Sequence, residues 1–160
     1  MRKKEQEITD PAEIRDALNR AVVLRLGFFD GRTPYVVPVN FGYDGGDALF
    51  IHSGHEGWKM EILKNHPRVC FEAEVDVAVI PPARPDNHCG FSMAYRSVIG
   101  FGSAVILDDP AQKTDALKTI VRHLDPEKLP EDIVFPEGAV ESTAVVRINI
   151  ESMTGKKDNC

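Results

Sequence analysis

Apolar and polar positions alternate with a period of two over much of this chain, and in three places the period lengthens to that of a helix. Residues 21–29 are rich in β-branched and aromatic side chains and end at Asp30-Gly31, which predicts a strand and a turn. Across 35–43, Tyr35, Val37, Val39, Phe41 and Tyr43 share one face, while Val36, Pro38, Asn40 and Gly42 share the other. Asp44-Gly45-Gly46-Asp47 reads as a hairpin turn, because glycine accepts the positive φ such turns require. Residues 48–52 return as a third strand, so a meander is expected. Pro38 has no N–H and marks its position as an edge or a bulge. In 68–77, Phe71, Ala73, Val75 and Val77 alternate with Glu72, Glu74 and Asp76, and the carboxylates read as a solvated face. Residues 91–107 are strand-like throughout. At about 3.3 Å per residue they exceed the length of an ordinary strand. Gly100 and Gly102 are expected to bend this segment around a closed sheet, which indicates a barrel. Residues 143–151 supply a closing strand with Val146, Ile148 and Ile150 facing inward.

The helical stretches carry their own start signals. Asp10-Pro11-Ala12-Glu13 offers a cap, a proline at the first helical position and a glutamate able to complete a capping box. That helix runs to Arg20 with Ile14 and Leu18 buried. A second occupies 53–65 with Trp58, Ile62 and Leu63 on one side. Asp109-Pro110 opens a third, reaching Leu124 with Leu117, Ile120, Val121 and Leu124 on one stripe. Pro126, Pro130 and Pro136 make the next segment irregular, and 80–90, with three prolines, is a loop long enough to serve as a cover or partner contact. No repeat, low-complexity tract or linker interrupts the pattern. The expectation is one domain over 1–160, mainly β with peripheral helices: about six strands and three helices.

Composition narrows the function. With 19 Lys+Arg against 25 Asp+Glu the net charge is −6, which argues against a nucleic-acid binder that must displace phosphate counterions. No run approaches the roughly 20 apolar residues that span a bilayer, and the opening MRKKEQEITD has no apolar core of a secretion signal. Cys70, Cys89 and Cys160 are odd in number and form no C-x-x-C pair, so a reduced, cytoplasmic compartment is expected. Cys89 has no adjacent base or cation and reads as an unreactive loop residue.

The richest chemistry lies in 49–59, where a strand end, a small-residue turn and a helix start meet Ser53 and Lys59. Unpaired N–H groups at a helix start suit a phosphate, to which Ser53 and Lys59 would add a hydroxyl and a full charge. The alternative is that Ser53 caps the helix and Lys59 is a solvated surface residue. His52, His55 and His88-Cys89 lack convincing ligand spacing, so no metal is expected. The chain has no G-x-S-x-G elbow, no phosphate loop and no G-x-G-x-x-G fingerprint. Arg96 and Ser97 lie in an apolar strand, where the guanidinium must reach water or find an anion, a salt bridge to a barrel carboxylate being the alternative to a ligand's anion.

In order and spacing, several motifs together are distinctive: Pro34-Tyr35-Val36-Val37-Pro38-Val39-Asn40-Phe41-Gly42-Tyr43, Phe50-Ile51-His52-Ser53 with Gly57-Trp58-Lys59, Asn65-His66-Pro67-Arg68-Val69-Cys70-Phe71-Glu72, Cys89-Gly90-Phe91-Ser92-Met93-Ala94-Tyr95-Arg96-Ser97-Val98-Ile99-Gly100-Phe101-Gly102, and Val145-Val146-Arg147-Ile148 to Thr154-Gly155-Lys156. Over residues 5–157 the chain resembles the flavin-binding split barrels of the pyridoxamine 5′-phosphate oxidase-like superfamily, and most of all its 5-nitroimidazole-resistance branch. The resemblance implies a six-stranded split β-barrel, homodimeric, with FMN in the cleft between subunits. Val37, Pro38, Val39 and Asn40 would line the isoalloxazine through backbone groups. His52 and Ser53 would sit beside the ribityl-phosphate arm, Lys59 would bind the phosphate, and Arg96 with Ser97 would contribute further contacts. His52 would also face the reactive part of the flavin as the catalytic residue. The chain departs from the true oxidases in three places. Val36-Val37-Pro38-Val39-Asn40 replaces their basic strand motif and removes a phosphate donor. Trp58 stands where an arginine usually precedes the lysine, and 155–160 lacks their substrate-binding tail. Vitamin B6 oxidation is therefore not expected. The implied activity is FMN-dependent reduction of nitroaromatic or related small acceptors. A non-catalytic flavin carrier or sensor, or a barrel binding another planar cofactor such as haem through His52 or His88, are the alternatives.

Overall fold

A computed structural model of the chain describes residues 3–84 and 86–158; Pro85 and Cys160 lie outside them. After a two-residue strand β1 (Glu7–Ile8), helix α1 (Pro11–Arg20) starts as expected, with Pro11 in its first turn and the Asp10 carboxylate accepting from the Ala12 N–H at 2.9 Å. Ile14, Ala17 and Leu18 are its buried residues. Glu13 does not turn back to the cap; its carboxylate instead accepts from Lys157 and Arg96.

Strands β2 (Leu24–Phe29) and β3 (Pro34–Val39) form an antiparallel hairpin. The strand expected over 35–43 breaks at Asn40-Phe41 and resumes as the short β4 (Gly42–Tyr43), which pairs with β5 (Ala48–Ser53). The meander is therefore split into two hairpins. Between β4 and β5 the Asp44 carboxylate accepts from the N–H groups of Gly46 and Ala48, and Gly45 takes φ +80°. Helix α2 (Trp58–Asn65) begins five residues later than the change of period suggested. It buries Met60, Ile62 and Leu63, whereas Trp58 stays 42% exposed.

Three long strands build the rest of the sheet: β6 (Arg68–Ile80), β7 (Ser92–Leu107) and β8 (Ala144–Asp158). The last runs seven residues beyond the expected end and pairs with β7 along nearly its whole length. Helices α3 (Pro110–Leu124) and α4 (Glu137–Ser142) connect β7 to β8. Helix α4 falls in the proline-bounded segment expected to be irregular. On α3 the buried residues are Lys113, Ala116 and Ile120, and Leu124 is exposed, so the helix is turned relative to the expected stripe.

The sheet is antiparallel throughout, in the order β3-β2-β6-β7-β8-β5-β4, with β1 beside β8. Its two ends, β3 and β4, are joined by two residues, so the sheet must curl until they approach; the result is the expected split barrel. Pro38 lies on the edge strand β3, where its missing N–H leaves no gap in a central ladder. In the core, Leu18, Leu24, Leu26, Phe41, Leu49, Ile51, Phe71, Val98, Val146 and Ile148 are essentially solvent-free.

Two irregularities re-aim side chains. The β6–β7 register shifts between Val75 and Ala78, and Asp76 adopts φ +58° there. Such bulges turn the residues that follow to the opposite face, and Val77, expected inside, is 49% exposed. In β7, Gly100 faces inward directly opposite Phe71: a Cβ at Gly100 would lie 2.1 Å from the end of the Phe71 ring. Close packing of an aromatic ring, as well as bending, requires glycine at this position.

Candidate functional site

The turn after β5 brings a basic residue to an open helix start. Gly57, at φ +110°, is the residue before α2, and its carbonyl accepts from the Met60 and Glu61 N–H groups at 2.9 and 3.1 Å. Among the described residues no side chain caps this helix start, so Ser53 is not the cap that the alternative reading made it. Lys59 follows in the first turn. It is half-buried, and among the described residues no carboxylate forms a salt bridge with it. Burial pushes the Lys59 ammonium below the ordinary lysine range, because partial desolvation disfavours the charged form. An anion is what such a lysine lacks.

Aromatic packing ties this corner to β3. The Trp58 and Tyr35 rings lie 4.4 Å apart, and Tyr35 and Phe28 lie 6.0 Å apart. Along β3, Val37 and Val39 pack against the core while Val36, Pro38 and the following Asn40 are exposed. Because β3 is a sheet edge, it presents backbone groups that no neighbouring strand occupies. His52 is exposed at the end of β5 and pairs in register with Val145; Ser53 pairs with Ala144. His55 in the following turn meets helix α4, its Nε2 3.1 Å from the Glu141 carbonyl.

Arg96 and Ser97 lie elsewhere. They register with Lys157 and Lys156 at the far end of β8, whereas Ser53 registers with Ala144 at its start. At about 3.3 Å per residue that is about 40 Å along the strand. Arg96, 26% exposed, donates from Nε to Glu13 at 3.2 Å and from Nη1 to Asp76. Lys157 Nζ holds both Glu13 oxygens at 2.8 Å, and Arg20 donates to Asp76. Here the barrel-carboxylate alternative for Arg96 is realised. Hydrogen bonds from Lys157 and Arg20 respectively are the leading reason that Glu13 and Asp76 are held below the usual carboxylate range. The cluster fastens α1 to β6, β7 and β8. Glu72 and Glu74 have a separate partner in Arg25, at 3.1 and 3.0 Å.

Two depressions flank these parts. The larger, about 620 Å³, is lined by residues such as Asn19, Tyr43, Asp44, Arg122 and His123, away from the Lys59 corner. A shallower apolar one, about 350 Å³, lies over Gly27 against Pro34, Val36, Cys70 and Phe101; it adjoins β3. No group of three His, Cys, Asp or Glu among the described residues is placed to hold a metal.

Lys113 was missed from sequence. It is 6% exposed, and its Nζ donates to the Glu141 carbonyl at 3.4 Å, the acceptor that His55 also approaches. Its spacing from Ala116 and Ile120, three and seven residues on, was the available signal: a lysine on the buried face of a helix.

Residues 10–157 match the model of the pyridoxamine 5′-phosphate oxidase family, and the chain belongs to that family. Among solved structures, a protein from Bacteroides thetaiotaomicron described as a candidate 5-nitroimidazole antibiotic resistance protein is similar at 31% identity and TM-score 0.79, with 94% of this chain and 85% of that one covered. The flavocytochrome Anf3 of Azotobacter vinelandii shares the fold at 23% identity and TM-score 0.81, covering all of this chain and 72% of its own. A FAD- and haem-binding protein of Mycobacterium smegmatis does so at 17% identity and TM-score 0.83, covering 97% and 74%. No curated protein matches the sequence.

Proposed function

We propose that this chain is a flavin-dependent oxidoreductase of the split-barrel type that reduces nitroaromatic or related small acceptors, with its cofactor phosphate at Lys59. The observation that carries the reading is the half-buried Lys59 with no salt-bridging carboxylate among the described residues, beside the uncapped start of α2 and joined through Trp58 and Tyr35 to the edge strand β3. These residues fit a phosphorylated flavin: Lys59 and Ser53 at the phosphate arm, and the open backbone edge of Val37, Pro38, Val39 and Asn40 along the ring. Family membership implies FMN. When bound, the flavin supplies two-electron chemistry that no side chain here could supply.

A homodimer accounts for the rest of the expected site. Within one chain Arg96 and Ser97 register at the wrong end of β8 to join Lys59, so a second copy would have to bring such groups together. Exposed Phe29, Val36, Ile99 and Phe101 offer apolar surface for that contact. His52, exposed at the end of β5, would pass a proton to the acceptor as it takes up electrons. We assign the protein to the reduced cytoplasm on its cysteines, odd in number and without a C-x-x-C pair.

The test is turnover of a nitroimidazole by the flavin-loaded protein with a reduced nicotinamide, for the parent and for His52→Ala. The reading predicts turnover by the parent and a fall of about 100-fold or more in the variant, the usual size of a general-acid contribution. Equal turnover removes His52 from the mechanism. Flavin binding without any turnover makes the protein a carrier or sensor instead, and a haem-type absorption spectrum overturns the flavin reading.

A further inference from the structure

We propose that His55 is a positioning residue of the phosphate site: its bond to helix α4 fixes the turn that joins Ser53 to Lys59. This inference rests on the flavin reading above and adds a residue to its cofactor site. The turn has little else to hold it. On one side Ser53 is anchored in the ladder opposite Ala144, and on the other Met60 is 2% exposed in the core. Between them Gly54, His55, Glu56 and Gly57 are all exposed. A Cβ added to Gly54 or Gly57 would meet no atom within 4 Å, so neither glycine is pressed against a neighbour. Among the described residues, the one side-chain hydrogen bond made by this turn is that of His55 to the Glu141 carbonyl.

The other end of that bond is firm. Val140 is 6% exposed, and α4 leads straight into β8, where Ala144, Val145 and Val146 are buried and paired with β5. A carbonyl can only accept, so Nε2 is the protonated nitrogen of the ring. The oxygen's second lone pair leaves room for the Lys113 ammonium, which approaches it at 3.4 Å. What the bond holds in place is a set of donors. Among the described residues, the N–H groups of His55, Glu56 and Gly57 donate to no protein acceptor. Successive free N–H groups in a turn form an anion-binding concavity, here in the stretch of chain between Ser53 and Lys59. A phosphate gains most when those donors are already held in one arrangement, since ordering a loop on binding subtracts from affinity. Without His55 the turn is tethered only at its ends.

The experiment titrates the full-length apoprotein with FMN and riboflavin, for the parent, His55→Ala and His55→Gln. The glutamine amide carries an N–H donor at a reach similar to that of Nε2 and keeps the bond. His55→Ala should lose about 2- to 13-fold in FMN affinity, the worth of one hydrogen bond, with the affinity for riboflavin, which has no phosphate, unchanged. His55→Gln should recover most of the loss. An unchanged FMN affinity in His55→Ala, an equal loss for both flavins, or a glutamine variant as weak as the alanine one overturns the positioning role and leaves the flavin reading standing. A parent protein that binds FMN no more tightly than riboflavin overturns the positioning role and the phosphate site together.

Discussion

Gly100→Ala places a methyl group where the barrel has no room for one. The new Cβ would stand 2.1 Å from Cζ of Phe71 and 2.7 Å from both Cε atoms, far inside contact distance. Phe71 is 1% exposed, packed in the core and paired in register with Gly100, so its ring can retreat only by displacing its own neighbours. Overpacking of this kind costs about 1–3 kcal/mol, and in a domain of this size each kcal/mol lowers Tm by about 2–4 °C. Thermal unfolding of the variant should therefore move down by about 2–12 °C. The decisive partner is Phe71→Leu, which opens a void in the parent but removes the clash in the Gly100→Ala background. The double variant should be more stable than the sum of the two single effects predicts, by an interaction of about 0.5–3 kcal/mol for residues in contact. An unchanged Tm for Gly100→Ala, or strictly additive effects, would refute the packing argument and leave bending as the only reason for glycine here.

Three further outcomes are expected. Lys113→Met should leave Tm unchanged or raise it, because the buried ammonium is offset by one carbonyl at 3.4 Å and an apolar side chain of similar length avoids the desolvation; a drop of more than a few degrees in the melting curve would assign Lys113 a stabilising role. The carboxylates of Glu13 and Asp76 are held low in the folded chain by their cationic partners, so their contribution is present above the ordinary carboxylate range and is lost as pH falls through the lowered values. Acid titration of Arg96→Met should show a weaker pH dependence than the parent, and an identical curve counts against the cluster. Lys59 is shifted the other way for a cation: the folded chain gives up this proton more readily than the unfolded one, so the apoprotein gains stability as pH climbs from the lowered value toward the ordinary lysine range. Lys59→Met should abolish that rise, measured by denaturant unfolding at a series of alkaline pH values.

Much of the fold was legible because its signals are local. The Asp10-Pro11 and Asp109-Pro110 helix starts, the Asp44-Gly45 turn and the edge placement of Pro38 each follow from one residue's geometry. What escaped was set by tertiary context. Nothing in the alternation of 68–77 announces the bulge at Asp76 that turns Val77 outward, because its carboxylate is met by Arg20 and Arg96 from other parts of the chain. The break at Asn40-Phe41 arises because β3 and β4 pair with different strands, a choice the period-two pattern does not encode. For the site, Ser53 and Lys59 could be placed near a helix start from sequence. That Lys59 has no salt-bridging carboxylate among the described residues and that Arg96 has two could not, since Glu13 and Asp76 lie 83 and 20 residues away from that arginine.

The central claim is that the phosphate of a flavin rests on Lys59. The direct measurement compares the affinities of FAD, FMN and riboflavin for the full-length apoprotein and for Lys59→Met. Phosphorylated flavins should bind the parent more tightly than riboflavin does. In the variant that advantage should shrink by about 10- to 150-fold, the worth of a hydrogen bond to a charged group, with riboflavin affinity unchanged. An unaltered ratio between phosphorylated and unphosphorylated flavins, or a parent protein that binds none of them, would contradict the account.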